Sequence, residues 1–388
     1  MKILYCASDQ TVPGTNGGSV HVTAVAEGLA ALGHELHVLV TPGGVFPRGP
    51  VHWIAMPPLL GRKELRWAGA GRVRRLAATL QPDVVMERYY NFGGEGIGAA
   101  AAVGATAVLE VNAPVIDYPG SAKSRLDRAL VLEPMRRWRE RICARADLIV
   151  TPSAAILPPG TAPSRIIELE WGADTRRFQP GAPGPAPFER PAPVVAVFAG
   201  AFRSWHGAVH LATAIRALRD RGRRDVGAVF IGDGPELASV RQAARGLENV
   251  VFTGALPHDR MPASLAACDI GVAPFDMSRH RALALGFYWS PLKMFEYMSA
   301  GLPVVAPASG RIPALVGHER EGLLYSPSKP GALAAALERL ADSDLRLQLG
   351  TAARVRAVRD YSWTAHCDAL EHAIAGVRRR RDRADGLG

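Results

Sequence analysis

Short, uninterrupted apolar runs alternate with segments of helical periodicity along most of the chain, and this alternation constrains the fold more than any other feature. In the first 40 residues an apolar run at residues 2–8 is followed by a glycine-rich polar loop. Apolar positions at helical spacing then extend from Val22 to Leu29, and a second apolar run covers residues 35–40. Apolar strands that alternate with helices build parallel sheets covered on both faces. The sequence therefore predicts a doubly wound α/β protein.

One segment, residues 181–193, interrupts this alternation because it is rich in proline and glycine and poor in large apolar side chains. Such a composition is typical of a linker or an exposed loop. A chain of 388 residues is also too long for one ordinary domain. We predict one doubly wound domain over residues 1–185, a second over residues 186–360, and a C-terminal segment over residues 361–388 with a helix and a basic, solvated end.

Composition excludes several classes of protein. An apolar fraction of 48% supports a packed core, and no stretch reaches the roughly 18 uninterrupted apolar residues of a membrane span. The four cysteines have no CxxC or zinc spacing, and the N-terminus leads directly into an apolar strand, so we expect buried thiols in a cytoplasmic protein. The formal net charge of +10 is almost all arginine, which fits either a GC-rich genome or an anionic partner. Nucleic acid is not expected as that partner, because no binding motif is recognisable.

The loops that follow strands carry the candidate site residues, because ligands of open α/β sheets bind beyond the carboxyl ends of the strands. Gly17 and Gly18 stand at the start of the first helix, where bare amides attract an oxyanion, although a simple turn with Ser19 as N-cap fits as well. Arg203 and His206 lie in the loop after the first strand of the second domain. An arginine suits a diphosphate because its fork makes bidentate contacts.

The strongest local signal is the start of a helix near residue 290. Ser290 is a good N-cap and Pro291 a good first helical residue, so the amides of the first turn could meet a phosphate. Lys293 and Glu296 are three residues apart and share one helical face. The carboxylate could accept hydrogen bonds from ribose hydroxyls or could simply pair with the lysine.

Two other motifs imitate functional sites. Residues 93–98 are glycine-rich, but their spacing does not match GxGxxG and no acidic residue follows a strand about 20 residues later, so tight helix packing is favoured. Asp342 and Asp344 imitate a metal-binding DxD motif, but they lie between predicted helices and favour a helix cap. No metal site is expected.

Taken in order, the motifs resemble those of retaining glycosyltransferases with the GT-B fold, specifically glycosyltransferase family 4, also called group 1. The resemblance covers nearly the whole chain and rests on residues 17–19, 109–112, 151–153, 172–180, 200–207, 232–235, 252–254 and 293–305. It implies two Rossmann-like domains that face each other across a cleft, with the last helix crossing back to the first domain. It also implies transfer of a sugar from a nucleotide-diphosphate sugar to a hydroxyl acceptor with retention of configuration, without a metal or other cofactor.

The same resemblance implies roles for individual residues. Asn112, Arg203 and His206 would be catalytic. The acceptor would lie near Arg88, Glu110 and Asn112, although Arg88 could instead pair with a nearby glutamate. The donor would contact Gly17, Gly18, Arg203, His206, Gly254, Ala255, Leu256, Tyr288, Ser290, Pro291, Leu292, Lys293 and Glu296.

The chain departs from the family pattern at four positions. Tyr288 stands where the family usually has the first of two glutamates, and Asn112 stands where a histidine is common. Ala201 and His206 replace the usual arginine and lysine of the diphosphate loop, and Arg203 could substitute for them. Two alternatives to a glycosyltransferase stay open: a nucleotide-sugar epimerase on the same fold and, because of Tyr288 and Asn112, a non-catalytic nucleotide-sugar-binding protein.

Residues 125–145 carry seven arginines against three acidic residues, together with Trp138. A solvated helical face is the favoured interpretation. The alternative is a peripheral contact with anionic lipid at the inner face of a membrane.

Overall fold

The computed structural model describes residues 1–118, 120–131 and 133–385, and these form two compact units. Unit 1 contains Met1–Trp171, Tyr288–Ser290 and the described part of the segment that starts at Trp363, and unit 2 contains Gly172–Phe287 and Pro291–Ser362. The division therefore falls after residue 171 and not at 185, because the proline-rich segment 181–193 belongs to unit 2. Residues 386–388 of the predicted tail lie outside the described residues.

The strands of unit 1 form a parallel sheet. They are β1 (Lys2–Val12), β2 (Glu35–Pro42), β3 (Val51–Ala55), β4 (Val84–Arg88), β5 (Thr106–Glu110), β6 (Leu148–Thr151) and β7 (Ile166–Glu168). Over the described residues the sheet has seven strands in the order β3-β2-β1-β4-β5-β6-β7. The sequence predicts the first six; β7 has three residues, too few for a periodicity signal.

Unit 2 contains a second parallel sheet. Its strands are β8 (Val194–Ala199), β9 (Val226–Ile231), β10 (Val250–Gly254), β11 (Ile270–Val272), β12 (Val304–Pro307) and β13 (Gly322–Tyr325). In the described part of the chain they pair in the order β10-β9-β8-β11-β12-β13. Successive strands move outward from β8 in one direction and then restart beside it, so the loops after β8 and β11 border the switch point where α/β proteins bind ligands. The α/β class and the two doubly wound units are thus confirmed.

Helices connect the strands and cover the sheets. They are α1 (Gly17–Ala31), α2 (Ala70–Leu80), α3 (Glu95–Val103), α4 (Ala122–Ala129), α5 (Pro134–Arg145), α6 (Ala208–Asp220), α7 (Leu237–Ala243), α8 (Met261–Ala266), α9 (Leu292–Ser299), α10 (Ile312–Leu315), α11 (Ala332–Arg339), α12 (Ser343–Asp360) and α13 (Trp363–Asp385). In unit 1, the apolar stripe of α1, including Val22, Val25 and Leu29, packs into one core with Ile3 of β1. Of the described helices, none is long and apolar enough to span a membrane.

The basic run near the C-terminus is part of a helix, and the expectation of a solvated end holds in part, because Arg379, Arg380 and Arg383 are exposed whereas Arg378 and Arg381 are paired. Helix α13 belongs to unit 1 and packs against α1. Arg378 pairs with Asp83 at 2.9 Å, and Arg381 pairs with Asp147 at 3.0 Å. Arg378 and Arg381 therefore anchor the helix at the amino ends of β4 and β6. All four cysteines are buried and free, as expected.

Candidate functional site

Glu110, at the carboxyl end of β5, is the centre of a buried polar cluster in unit 1. Its Oε1 lies 2.6 Å from Nε2 of His21 and 2.9 Å from a guanidinium nitrogen of Arg88. Tyr5 and Asn112 also donate hydrogen bonds to its carboxylate. Burial by itself raises the pKa of Glu110, but His21 and Arg88 outweigh burial and hold that pKa well below its usual range. The carboxylate is therefore ionised and saturated with donors.

Both predicted acceptor residues beside Glu110 are engaged within unit 1. Arg88 is buried and lies between Glu110 and Asp9, with its Nε 3.7 Å from the Asp9 carboxylate. The pairing considered as an alternative for Arg88 is thus observed. Asn112 donates to Glu110 and accepts a hydrogen bond from the Trp171 indole nitrogen at 2.9 Å. These contacts fix the side chains within the buried cluster, of which Asn112 is partly exposed.

His21 is a member of this cluster that was not predicted from the sequence. Its ring stacks on Trp171 with centroids 4.4 Å apart and lies 5.6 Å from the His366 ring. Burial lowers the pKa of His21, partly offset by Glu110. A signal was available, since His21 lies on the same helical face as Val25 and is a polar residue in an apolar stripe.

The start of α1 differs from the simple turn considered as an alternative. Asn16 is the N-cap, and its side chain accepts from the amide of Ser19 at 3.0 Å, so Ser19 is not the cap. Gly17 and Gly18 are the first two residues of the helix. A Cβ at Gly18 would lie 2.2 Å from Oε1 of Gln10, so a side chain there would displace the end of Gln10.

The glycine-rich residues 93–98 hold an anion that the chain itself supplies. The carboxylate of Glu87 accepts from the amides of Gly96 and Ile97 at 2.8 Å each, and also from the amide of Gly94. A Cβ at Gly96 would lie 3.0 Å from Sγ of Cys6, so the tight packing expected here is confirmed. Burial and the nearby Glu95 carboxylate raise the pKa of Glu87, whereas Arg66 and the loop amides oppose the shift.

Three glycines form the carboxyl edge of the sheet in unit 2. Gly200, Gly232 and Gly254 have φ of 130°, 128° and 74°, which side chains rarely tolerate. Their loops are linked, because the Gly232 amide donates to the Gly254 carbonyl at 2.8 Å and a Cβ at Gly232 would lie 2.1 Å from the Gly200 carbonyl oxygen. Ala255 and Leu256 follow directly on this edge, and Ala255 is exposed.

Lys293 places a buried ammonium group at this edge. Its Nζ lies 4.2 Å from the ring centroid of Phe198 and 5.6 Å from that of Phe275. Across the described residues, Nζ has no hydrogen-bond partner. Burial lowers the pKa of Lys293 to about 7, although Glu296 opposes the shift. A Cβ at Gly200 would lie 3.1 Å from Nζ, so the glycine also leaves room for the amine.

Arg203 and His206 lie in the loop that joins β8 to α6. Arg203 is exposed, and its guanidinium carbon lies 5.7 Å from the centroid of the Trp205 ring. His206 is half-buried and donates from Nδ1 to the carbonyl of Ala201 at 2.5 Å. Burial and then the Lys293 charge lower the pKa of His206 to about 3. The imidazole is therefore neutral at neutral pH, with Nε2 as an acceptor.

Helix α9 begins later than the sequence predicts. Pro291 takes the N-cap position without a side-chain hydrogen bond, and Leu292 is the first helical residue. The hydroxyl of Ser290 instead donates to Glu170 and accepts from the amide of Trp171 at 2.9 Å. Ser290 is thus not the predicted cap, because its hydroxyl belongs to unit 1.

Tyr288 and Glu296, which the sequence predicts to contact the sugar donor, each have a partner within their own unit. Tyr288 is buried in unit 1 against Trp289, and burial raises its pKa to about 12. Glu296 lies in unit 2, with its Oε1 3.5 Å from Nε2 of His258.

The DxD-like motif is a helix cap, as expected. Asp342 accepts from the amides of Asp344 and Leu345 at 2.9 and 3.1 Å. The described residues contain no group of three or more His, Cys, Asp or Glu side chains that could hold a metal ion.

Comparison with known proteins finds two family models. Residues 193–343 match "Glycosyl transferases group 1", and residues 15–157 match "Glycosyltransferase Family 4". A GDP-mannose-dependent alpha-(1-6)-phosphatidylinositol monomannoside mannosyltransferase of Mycobacterium tuberculosis is 31% identical over 229 residues, which are 56% of this chain and 56% of that protein. The chain thus spans little more than half the length of this curated relative.

Two other similar proteins cover more of the chain. A 2-deoxystreptamine glucosyltransferase of Streptomyces kanamyceticus is 30% identical over 283 residues, 69% of this chain and 67% of that protein. The structure of a sucrose-phosphate synthase from Thermosynechococcus elongatus superposes with a TM-score of 0.70 at 16% identity and covers 100% of both chains. At that identity the likeness concerns the fold alone.

Proposed function

The chain belongs to the group 1, or family 4, glycosyltransferases of the GT-B fold, and from this premise we propose that it transfers a sugar from a nucleotide-diphosphate sugar to a hydroxyl acceptor. The observation that carries this proposal is the ammonium group of Lys293. It is buried at the carboxyl edge of the unit 2 sheet and has no hydrogen-bond partner among the described residues. A buried, unpaired cation is costly unless an anion binds beside it, and the diphosphate of the donor is such an anion.

The positive charge of Lys293 also assists the chemical step. As the bond from the anomeric carbon to the diphosphate oxygen breaks, negative charge grows on the leaving group. Lys293 and Arg203, together with the first amides of α9, stabilise that charge where they stand, and such preorganised groups commonly contribute about 3–4 kcal/mol each. We propose that the step needs no metal, because these cations supply the charge.

His206 has a narrower role in this scheme. With Nδ1 donating to Ala201, the neutral ring presents only an acceptor at Nε2. Because burial and the Lys293 charge lower its pKa to about 3, the ring stays neutral at neutral pH, and we assign Nε2 to accept a hydrogen bond from a hydroxyl of the donor.

The nucleoside end of the donor is assigned to residues further along the same edge. Glu296 lies one turn after Lys293, and we assign its carboxylate to the ribose hydroxyls. Its contact with His258 is long, at 3.5 Å, which leaves the carboxylate able to accept stronger hydrogen bonds. Gly254, Ala255 and Leu256 would border the base.

The acceptor is assigned to unit 1. Asn112 is the partly exposed member of the predicted set, and the buried pair of Glu110 and Arg88 holds it in place at the carboxyl end of β5, so we assign the hydroxylated acceptor to the side of unit 1 that Asn112 borders. Retention of configuration rests on family membership. The acceptor oxygen would bond to the anomeric carbon on the face that the diphosphate leaves, and the diphosphate oxygen would take the hydroxyl proton.

The test offers the full chain GDP-, UDP-, ADP- and dTDP-sugars with and without acceptor extracts, and measures nucleotide release and product. We expect release that depends on an acceptor, with Lys293→Met inactive and Lys329→Met, at an exposed lysine of unit 2, unaffected. A new sugar epimer without acceptor would instead indicate an epimerase. Binding without turnover would indicate a nucleotide-sugar-binding protein, and either result refutes the proposal.

We also propose a peripheral contact with anionic lipid through the end of α4. Leu126, Leu130 and Val131 are 47%, 49% and 82% exposed, and Arg125 and Arg128 flank them. Exposed apolar side chains beside arginines favour the interface of an anionic membrane.

This contact is tested by sedimentation with phosphatidylcholine vesicles that contain or lack phosphatidylglycerol. Leu130→Glu should abolish binding to the anionic vesicles, whereas Leu347→Glu, which changes a leucine 71% exposed on α12, should not. Equal binding by both variants would contradict the contact.

A further inference from the structure

Unit 1 contains a second candidate binding site. Its lining includes none of the residues that we assign to the sugar donor or to the acceptor. It is a cavity of ≈ 300 Å³ bordered by the 3₁₀ helix Lys63–Gly69, which carries Trp67, by the glycine-rich residues 93–98, and by one side of α5. This volume is at the small end of the range for ligand sites, about 300–1,000 Å³, and suits one small ring.

Two indole rings line the cavity. Trp67 is 50% exposed and Trp138 is 45% exposed. The Trp138 ring is held in place, because its Nε1 donates to the carbonyl of Gly93 at 3.0 Å. Exposed aromatic faces that are fixed in orientation offer apolar platforms, and the C–H face of a pyranose ring is a suitable partner for such platforms.

A buried carboxylate adds hydrogen-bonding capacity. Glu95 lines the cavity and is only 4% exposed. Its Oε1 accepts from Nε of Arg66 at 2.7 Å, whereas Oε2 has no hydrogen-bond partner in the described chain. A buried acceptor without a donor is unfavourable. A ligand hydroxyl would supply that donor, and ring hydroxyls are the donors a sugar carries.

Arginines supply charge selectivity. Arg141 and Arg145 line the same cavity and are exposed. A guanidinium group pairs well with a carboxylate or a phosphate because its donors match their geometry. The exposed cations and the buried acceptor together favour a ligand that has both hydroxyls and an anionic group.

We propose that this cavity binds one pyranose unit that carries an anionic substituent, a uronic acid or a sugar phosphate. The indoles contact the ring, Glu95 accepts from a hydroxyl, and the arginines pair with the anionic group. Binding is a property of unit 1 and needs no nucleotide sugar. Use of the site by an acidic glycan acceptor, beyond the sugar that reacts, rests on the proposed function.

The test measures binding to the full chain without any donor, by titration calorimetry and ligand-observed NMR. The probes are glucuronic acid, glucose 6-phosphate, methyl α-glucoside and inorganic phosphate. We expect the two acidic sugars to bind at least about fivefold more tightly than the neutral sugar or the phosphate alone. Binding of one acidic sugar alone would identify which substituent the site takes. Equal affinity for the neutral sugar, or for inorganic phosphate, would overturn the proposal.

Variants at exposed positions keep the test independent of folding. Trp67→Ala should weaken binding of the preferred sugar by about fivefold, and Arg141→Ala should do so while leaving the weak neutral-sugar binding unchanged. Arg137→Ala is the matched control, since Arg137 is exposed on the same helix but does not line the cavity. If Trp67→Ala binds like the wild type, or Arg137→Ala behaves like Arg141→Ala, the assignment is wrong. Inactivity in sugar transfer would not affect these results.

Discussion

Lys293→Met is expected to stabilise the unliganded protein while it removes donor binding. Lysine 293 has a pKa of about 7 in the folded chain against 10.5 when unperturbed, so at pH 7 its burial costs about 4 kcal/mol at 1.36 kcal/mol per pKa unit. The stem of the side chain is partly exposed, so we expect a realised gain of about 2–4 kcal/mol. Methionine is similar in length and suits the contact with Phe198 and Phe275.

The pH dependence identifies the cause of this gain. Because the folded-state pKa is lowered, the unfolded chain binds more protons than the native chain between about pH 7 and pH 10.5. Native stability of the wild type therefore rises with pH over this range through Lys293. The Met variant lacks this contribution, so its advantage should be largest near pH 7 and should shrink toward pH 10.

The assay is urea unfolding at several pH values, with hydrogen exchange of peptides from β8 and α9 to assign the change to unit 2. Calorimetry with GDP and UDP measures the loss of binding, and Lys329→Met controls for the removal of a positive charge. If the Met variant is no more stable than the wild type at pH 7, or if its advantage does not fall as pH rises, the burial of an unpaired charge at Lys293 is refuted.

Three other substitutions, the last with a matched control, test separate parts of the structure. Glu296→Gln should weaken nucleotide binding about tenfold, in line with loss of a charge-assisted hydrogen bond, and an unchanged dissociation constant by calorimetry would remove Glu296 from the ribose role. Glu110→Gln should cost about 3–5 kcal/mol in urea unfolding at pH 7, because it removes the carboxylate that pairs with the buried guanidinium of Arg88. Since the pKa of Glu110 is lowered, this difference should diminish as pH falls below the usual glutamate pKa of about 4.3, and a constant difference would contradict the ion pairing. Gly28→Ala should lower the stability of unit 1 by about 1–3 kcal/mol, because its Cβ would lie 2.4 Å from Sγ of Cys367 on α13. Gly98→Ala, in α3 with nothing within 4 Å, should instead be neutral or stabilising by up to about 1 kcal/mol, and equal effects in thermal unfolding would show that the contact with α13 is not the cause.

Apolar periodicity predicted the secondary structure well where the periodic segment was long. The apolar runs of β1 and β8 are continuous, and each is followed by a helix-period segment that became α1 or α6. Patterns failed at the ends of elements. Ser290 has the residue type of an N-cap, but its hydroxyl bonds to Glu170, which is 120 residues away in sequence. An N-cap contributes about 1 kcal/mol to helix stability, and this preference does not outweigh such a tertiary hydrogen bond.

Charged residues were the least predictable part of the site. Arg88 and Lys293 both stand near the carboxyl edge of a sheet, and from sequence both are candidates to hold an anion. In the folded chain Arg88 is paired with Glu110, whereas Lys293 has aromatic neighbours and no partner among the described residues. His21 lies in the apolar stripe of α1, yet in the folded chain it contacts Glu110 and is part of its cluster.

The sequence by itself determined the α/β class, the two series of strands and the edge of each sheet on which the candidate site residues lie. These follow from periodicity and chain direction, which are local properties of the chain. Only the tertiary structure decided which ionisable groups are neutralised and which stay available for a ligand. Their charge state depends on burial and on partners that distant segments bring within a few ångströms, as Glu110 and Lys293 show in opposite ways.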